Sequence, residues 1–490
     1  MDLGGSVKRG VAWIFAGRGL VLAVNLGTTV VLARLLEPVD FGVFGIALLF
    51  KGMAVRMGNF GFALALVQRK EIRDAHVSSL FVVNLGLYLA ITLGLVAASG
   101  PIGAFFDNPL AGRVLAVVAL VFLTTPFASV ATAVMQRRMD FRGQALGNLL
   151  DHLVSAGVAI GCALAGMGVW SLATGFILGT LTNTVVLLAY ARWRPRLAYD
   201  HAAMADLYGF GFNLFFKNLF VYWSDKVDFF VVGKRLGATA LGFYEKGFSL
   251  VDLLVRELAV RVSSVLFSGF SKMQDDPSRF RKAYAKVMLA LSLVCFPGFA
   301  GLMLVAPSLI PFVFGAKWTP SVVPLQIMCI GGVFRLQVQV MATLINALGQ
   351  VRAEVTRRAL SLALLAVGTW YGSRWGIEGV AVVVTAVSGL LAFLIGGYFG
   401  SITGMSWLAM LRPLAPAATG CGVMAAAVLG FQHWAGPALG GRTGLVLGGA
   451  IAVGVVAYVL PFLLFRPPAV MALVGEVGRD LAPVLRRFGR

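Results

Sequence analysis

Runs of about twenty apolar residues recur along the whole chain, and that recurrence restricts the fold more than any other feature. Hydrocarbon holds no water to satisfy a free backbone N–H or C=O. A crossing segment must therefore close its own hydrogen bonds as a helix or share them in a closed barrel. Runs of this length suit helices, since about 20 residues cover the ~30 Å core of a bilayer. About fourteen runs are read, over 11–33, 41–66, 77–99, 112–134, 144–166, 168–191, 206–232, 239–268, 284–306, 319–347, 354–373, 377–400, 410–432 and 443–465. A twelve-span count is the alternative. The expected fold class is all-α and polytopic. The run after Lys8 and Arg9 contains Arg18, lacks a cleavage site and is too long for a secretory signal, so it reads as a retained first helix.

Composition agrees. Of the 490 residues, 59% are apolar and 13% charged, against about 25% charged in soluble domains. The net charge of +20 would suggest nucleic acid in a soluble protein. Here it follows from Lys and Arg gathered in alternate loops, and no nucleic-acid partner is expected. With both termini cytoplasmic, that side holds the clusters Arg69-Lys70-Arg73, Arg137-Arg138-Arg142, Arg192-Arg194-Arg196 and Arg279-Arg281-Lys282-Lys286. The opposite side holds the scattered Arg34, Arg113, Lys234, Arg235, Lys317, Arg374 and Arg442. The four cysteines (Cys162, Cys295, Cys329, Cys421) lie in apolar runs, without metal-ligand or disulfide spacing. No metal site is expected.

The chain resembles itself. Val31 to Phe44 aligns without gaps on Val231 to Tyr244, placing Gly42 on Gly242, Arg34 on Lys234 and Arg56 on Arg256. Gly168-Val-Trp-Ser-Leu-Ala173 resembles Gly376-Ile-Glu-Gly-Val-Ala381. The expected organisation is a cytoplasmic tail (1–10), a lobe of six helices (11–192), a basic linker (193–205), a second six-helix lobe (206–402), two further helices (403–466) and a basic tail (467–490). An even number of helices per lobe gives both lobes one orientation, related by an axis along the membrane normal.

Charges inside the runs are the candidate functional residues, because an ionised group at bilayer depth is costly and faces a cavity or a partner. The bases are Arg18, Lys51, Arg56, Lys217, Lys226, Lys246, Arg256, Arg261 and Arg335. The acids are Asp225, Asp228, Glu245, Asp252 and Glu257. Bases outnumber acids, which points to a basic cavity between the lobes, facing the cytoplasm and suited to phosphate. Arg18, Lys51, Arg56, Lys217, Arg256 and Arg335 are its candidate lining, since guanidinium forks bind phosphate oxygens in pairs. Arg18, Lys51, Arg56, Lys217 and Arg335 have no acid three or four residues away and need a partner from elsewhere. At 100° per residue, Glu245, Asp252 and Arg256 fall on one stripe, and Lys246, Glu257 and Arg261 on another. Asp225, Asp228, Glu245 and Asp252 serve either coupling or ion pairing. Asp151-His152 allows a proton relay or interfacial hydrogen bonding.

No nucleotide-binding glycine motif occurs, no HExxH, and no long extramembrane domain, so neither an enzyme nor a cofactor is expected. The stretch 470–490 is basic and amphipathic, as a surface-lying helix would be.

Certain local patterns carry a resemblance. Leu32-Ala-Arg-Leu-Leu-Glu-Pro-Val-Asp-Phe-Gly42 with Ala65-Leu-Val-Gln68, Met135-Gln-Arg-Arg-Met-Asp-Phe-Arg142 and Gly168-Val-Trp-Ser-Leu-Ala173 resemble Wzx-type polysaccharide flippases. These belong to the multidrug/oligosaccharidyl-lipid/polysaccharide superfamily, and the likeness extends over essentially the whole chain. It implies a MATE-like pair of bundles around a central cavity, alternating access, and residence in a bacterial inner membrane. The implied substrate is an undecaprenyl-diphosphate-linked oligosaccharide of exopolysaccharide, capsule or O-antigen. Membrane lipids and a polysaccharide polymerase with export machinery are the implied partners. A lipid II flippase and a cation-coupled multidrug antiporter are the alternatives, the latter disfavoured because cationic drugs want an acidic cavity.

Overall fold

The computed structural model describes residues 3–58, 66, 72–208, 211–260, 270, 277–438 and 443–475. Among these every regular element is a helix. Helices lie over each apolar run: Leu3–Leu35, Pro38–Gly58, Asp74–Phe105, Pro109–Ala119 followed by Thr125–Arg137, Arg142–Leu164, Val169–Ala191, Gly211–Arg235, Gly237–Leu254, Pro277–Phe314, Val322–Ala347, Val351–Gly372, Gly376–Thr403, Ala415–Ala438 and Thr443–Phe465. The protein is a multi-pass membrane protein. Among the described residues, ten stretches are long and apolar enough to cross a bilayer.

Part of the difference between ten and about fourteen has a chemical origin. The 211–235 and 237–254 helices carry too many Lys, Asp and Glu to qualify by composition. The helices within Glu354–Thr403 run together as one apolar stretch, and of the first helix only the side chains of Gly19–Leu35 are described. The helices that fall short through charge are those expected to bear intramembrane ions.

Helix boundaries follow backbone chemistry. The turn between the 142–164 and 169–191 helices uses Gly166 at φ +76° and Gly168 at φ +55°, a region that side chains disfavour. The 109–137 crossing is interrupted by a 3-10 turn at Leu120–Leu123. Pro126 has no N–H for the Phe122 carbonyl, and its ring would crowd that oxygen. The chain tightens there, with Thr124 N donating to Val121 O at 3.0 Å and Thr124 Oγ1 donating to the same oxygen at 2.8 Å.

The chain divides into two compact units, Met1–Phe243 and Tyr244–Arg490. In the first, Leu32, Leu36, Ala159, Ala163 and Leu172 form one buried cluster, joining the first, fifth and sixth crossings. The segment expected as a linker lies within the first unit and packs on its helices. Asp200 N donates to Ser79 Oγ at 2.8 Å. Asp200 Oδ1 accepts from Ala202 N and Ala203 N, capping the short helix His201–Tyr208. Met204 and Trp193 then pack with Val77, Phe81 and Val130. In the second unit, Met424, Val428, Leu447, Ala450 and Tyr458 of the last two helices pack on Val305, and Tyr458 Oη donates to Leu293 O at 2.8 Å.

Local geometry at the repeated positions is itself repeated. Gly42 lies against the Ala238 backbone carbonyl, and Gly242 against that of Pro38. With a shift of 200 residues these are the same contact made twice, each partner exchanging roles. Such reciprocity is what an approximate two-fold relation produces at a crossing. Gly168 and Gly376 share a backbone form, at φ +55°, ψ −133° and φ +72°, ψ −161°. Each stands at the start of a helix.

Candidate functional site

In the second unit two intramembrane bases, Arg256 and Arg335, meet at one carboxylate. Asp252 stands near the end of the 237–254 helix, which passes at Val255–Val260 into a π-helical turn holding Arg256 and Glu257. One Asp252 oxygen pairs with Arg256 Nε. The other accepts from an Arg335 guanidinium nitrogen at 2.7 Å, across from the 322–347 helix. Arg335 Cζ lies 5.0 Å from the centroid of the Phe248 ring, so the guanidinium has an aromatic floor. The Asp252 side chain is 12% exposed, Arg335 30% and Arg256 68%. A carboxylate this buried needs partners, and two guanidiniums supply them. The cluster keeps one unit of positive charge, with Arg256 as its accessible end.

The i,i+4 pair Asp252–Arg256 is as the sequence suggests, and Arg335 finds its partner on another helix. Of the angular stripes, the Asp252–Arg256 part is observed as an ion pair. The stripes assume 100° per residue, and the π turn at Val255 resets the angles beyond it. Arg261 lies outside the described residues. Glu245 is half-buried.

Lys246 occupies a setting that sequence reasoning missed. It is buried, with Nζ 4.9 Å from the centroid of the Trp318 ring and 5.4 Å from that of Phe314. Trp318 is among the largest fully buried side chains. The only signal was a tryptophan in the short Ala316–Ser321 segment, well separated in sequence from Lys246.

In the first unit, Lys51 of the 38–58 helix places Nζ 4.7 Å from the centroid of the Phe176 ring. Asp151 of the 142–164 helix lies within its electrostatic reach. Ser155 Oγ stands 3.3 Å from Asp151 Oδ1 and 2.9 Å from Gly175 O. Gly179 makes room for this group, because a Cβ there would strike Asp151 and Ser155. Lys51 thus has an aromatic ring beneath it and a carboxylate of another helix within electrostatic reach, without forming an ion pair with it. His152 Nδ1 is 2.6 Å from Asn148 O.

Arg56 is exposed and acts electrostatically on Tyr222, whose hydroxyl donates to Leu49 O. The Tyr222 ring lies against Gly52, where the 211–235 helix crosses the 38–58 helix. Along the 211–235 helix, Asp225 is exposed, Asp228 is buried, and Lys226 Nζ sits 3.8 Å from the centroid of the Phe229 ring. Outside the candidate set, Lys234 pairs with Asp107 at 2.8 Å. The side chains of Arg18 and Lys217 lie outside the described residues, as does 476–490 of the basic tail.

Residues 31–323 match the family model described as "Polysaccharide biosynthesis protein". The chain belongs to that family. The lipopolysaccharide biosynthesis protein WzxC of Escherichia coli (strain K12) is 26% identical over 405 residues, covering 81% of this chain and 82% of WzxC. The succinoglycan biosynthesis transport protein ExoT of Rhizobium meliloti (strain 1021) is 26% identical over 315 residues, covering 64% of this chain and 63% of ExoT. Among solved structures, the lipid II flippase MurJ in an inward closed conformation matches with a TM-score of 0.72 at 14% identity, over 96% of this chain and 99% of that one. An inward-facing multidrug resistance MATE family transporter of the MOP superfamily matches with a TM-score of 0.62 at 13% identity, over 78% and 94%. At such identities the likeness speaks for the fold, and the fold of this polysaccharide biosynthesis family member is MATE-like.

Proposed function

We propose that the protein is a flippase. It moves undecaprenyl-diphosphate-linked oligosaccharide repeat units, of exopolysaccharide, capsule or O-antigen, from the cytoplasmic to the outer leaflet of a bacterial inner membrane by alternating access. Fourteen crossings with both termini cytoplasmic are the proposed topology, in keeping with the loop charges. The family and the names of its relatives support polysaccharide transport. The observation that carries the head-group chemistry is the pair of guanidiniums, Arg256 and Arg335, organised around Asp252 in a helix otherwise bound for lipid. Lys51 and Arg56 are assigned to the same phosphate-binding role, with Arg18 and Lys217 assigned from sequence. The polyprenyl tail stays in lipid while the charged head enters. A polymerase and export machinery would take the product.

An inside-negative potential favours outward movement of anionic charge by about 2.3 kcal/mol per charge per 100 mV. That gain is realised to the extent that the protein does not return compensating charge.

Lipid II is the second reading, because MurJ shares the fold over nearly the whole chain. The two differ in the glycan and share the diphosphate. Full-length protein in proteoliposomes, offered undecaprenyl-diphosphate oligosaccharide, lipid II or a cationic dye, separates them. Preferential flipping of the oligosaccharide supports the reading. Flipping confined to lipid II moves the assignment to peptidoglycan, and dye export without lipid flipping refutes it.

A further inference from the structure

We propose that Asp252 is an internal competitor for the substrate's phosphate. Its carboxylate occupies Arg256 and Arg335 while the site is empty, yields them to the incoming phosphate, and reclaims them at release. The inference rests on the flippase reading and deepens it by assigning how that site binds and lets go.

Each Asp252 oxygen engages a different guanidinium, so the carboxylate spans the two arginines as an oxyanion ligand would. The three groups do not share one environment. Asp252 is nearly enclosed, Arg335 is partly shielded on Phe248, and Arg256 is open. An anion therefore reaches Arg256 first, along its accessible side. Arg256 also sits on a π-helical turn beginning three residues past Asp252, a local irregularity often found at functional sites.

The charge arithmetic favours exchange over simple addition. With Asp252 in place the cluster offers one net positive charge, and with Asp252 displaced the arginines offer two. A diphosphate carries enough charge to engage both. Phosphate on arginine forms paired charge-assisted hydrogen bonds, so an uncontested pair of arginines would hold the head group tightly. A carrier must also release it. Asp252, left buried without its cations, supplies the opposing drive, since an unpaired buried carboxylate is costly. Binding and release then interchange two ion-paired arrangements of similar energy, and a ligand moves such an equilibrium only by its differential affinity.

The test uses the full-length protein in detergent and in proteoliposomes, with farnesyl diphosphate as the binding probe and undecaprenyl-diphosphate oligosaccharide as the transport substrate. D252N should bind the probe about tenfold more tightly, as expected when one charge-assisted competitor is removed. Its flipping should show a lower KM and a lower kcat. Because D252N leaves two like charges together, a second comparison guards against misfolding. R335Q leaves Arg256 to Asp252 alone and should bind weakly, whereas R335Q/D252N frees Arg256 and should recover binding.

A role confined to positioning the arginines predicts the reverse: weaker binding in D252N and no recovery in R335Q/D252N. Either result overturns the competitor proposal and leaves the flippase reading standing. If R256A and R335Q both bind and flip like the parent, the phosphate-binding reading itself fails, and the proposal fails with it.

Discussion

Substituting Gly42 by alanine tests the reciprocal helix crossing with a single methyl group. The new Cβ would land on the Ala238 backbone carbonyl, which is part of a helix start and cannot swing aside as a side-chain tip would. The helices must separate there, an overpacking cost of about 1–3 kcal/mol. Gly242→Ala should cost a similar amount, because its Cβ would meet the Pro38 carbonyl at the same crossing. The double variant is the informative one. Once one methyl has forced the backbones apart, the second finds room, so the combined cost should fall short of the sum by about 0.5–3 kcal/mol. Gly157 provides a control: it has open space where a Cβ would go, and alanine there should be neutral or stabilising by up to about 1 kcal/mol. Thermal unfolding in detergent reads all four variants. The reasoning is refuted if G42A unfolds at the parent's midpoint, or if the two single costs add in full.

Other expectations follow from single contacts. Asp151→Asn should destabilise by about 0.5–1.5 kcal/mol by weakening the bond from Ser155 and removing the carboxylate within electrostatic reach of Lys51, and Lys51→Gln added to it should restore part of the loss, as measured by the unfolding midpoint. Trp318→Ala should cost about 3–5 kcal/mol, because a fully buried indole is lost along with the ring facing Lys246; the yield of monodisperse detergent-extracted protein and unfolding would both report it. Ser79→Ala should remove the bond that docks Asp200, at a cost of about 0.5–1.5 kcal/mol, and should speed limited proteolysis across 193–200 while leaving the helices protected.

The fold was largely legible in the sequence because lipid imposes one rule on every crossing. Helices therefore lie over the apolar runs, and the turn at Gly166 and Gly168 stands between the runs read over 144–166 and 168–191. Of the positions aligned by the internal resemblance, Gly42 and Gly242 each stand at a backbone-to-backbone approach that leaves no room for a Cβ. The candidate site was legible by residue type and less so by pairing. Local spacing revealed Asp252–Arg256, since both residues share a helix. It gave no sign that Arg335 would complete the pair, or that Lys51 would lie over Phe176, because periodicity within one helix says nothing about which neighbour packs on it. The π turn at Val255–Val260 was also invisible: a hydrophobic pattern read at α-helical spacing carries no mark of one widened turn. The aromatic surroundings of Lys246 depend on Trp318 folding back from a distant short segment, which sequence separation conceals.

The central claim is that Arg256 and Arg335 receive a phosphate-bearing head group. It is tested most directly by measuring flipping of undecaprenyl-diphosphate oligosaccharide in proteoliposomes by the parent, R256A and R335A at matched protein levels and folding. The account predicts that each substitution slows flipping by about tenfold or more, as loss of a charge-assisted phosphate contact should. Parent-like rates in both variants would contradict it.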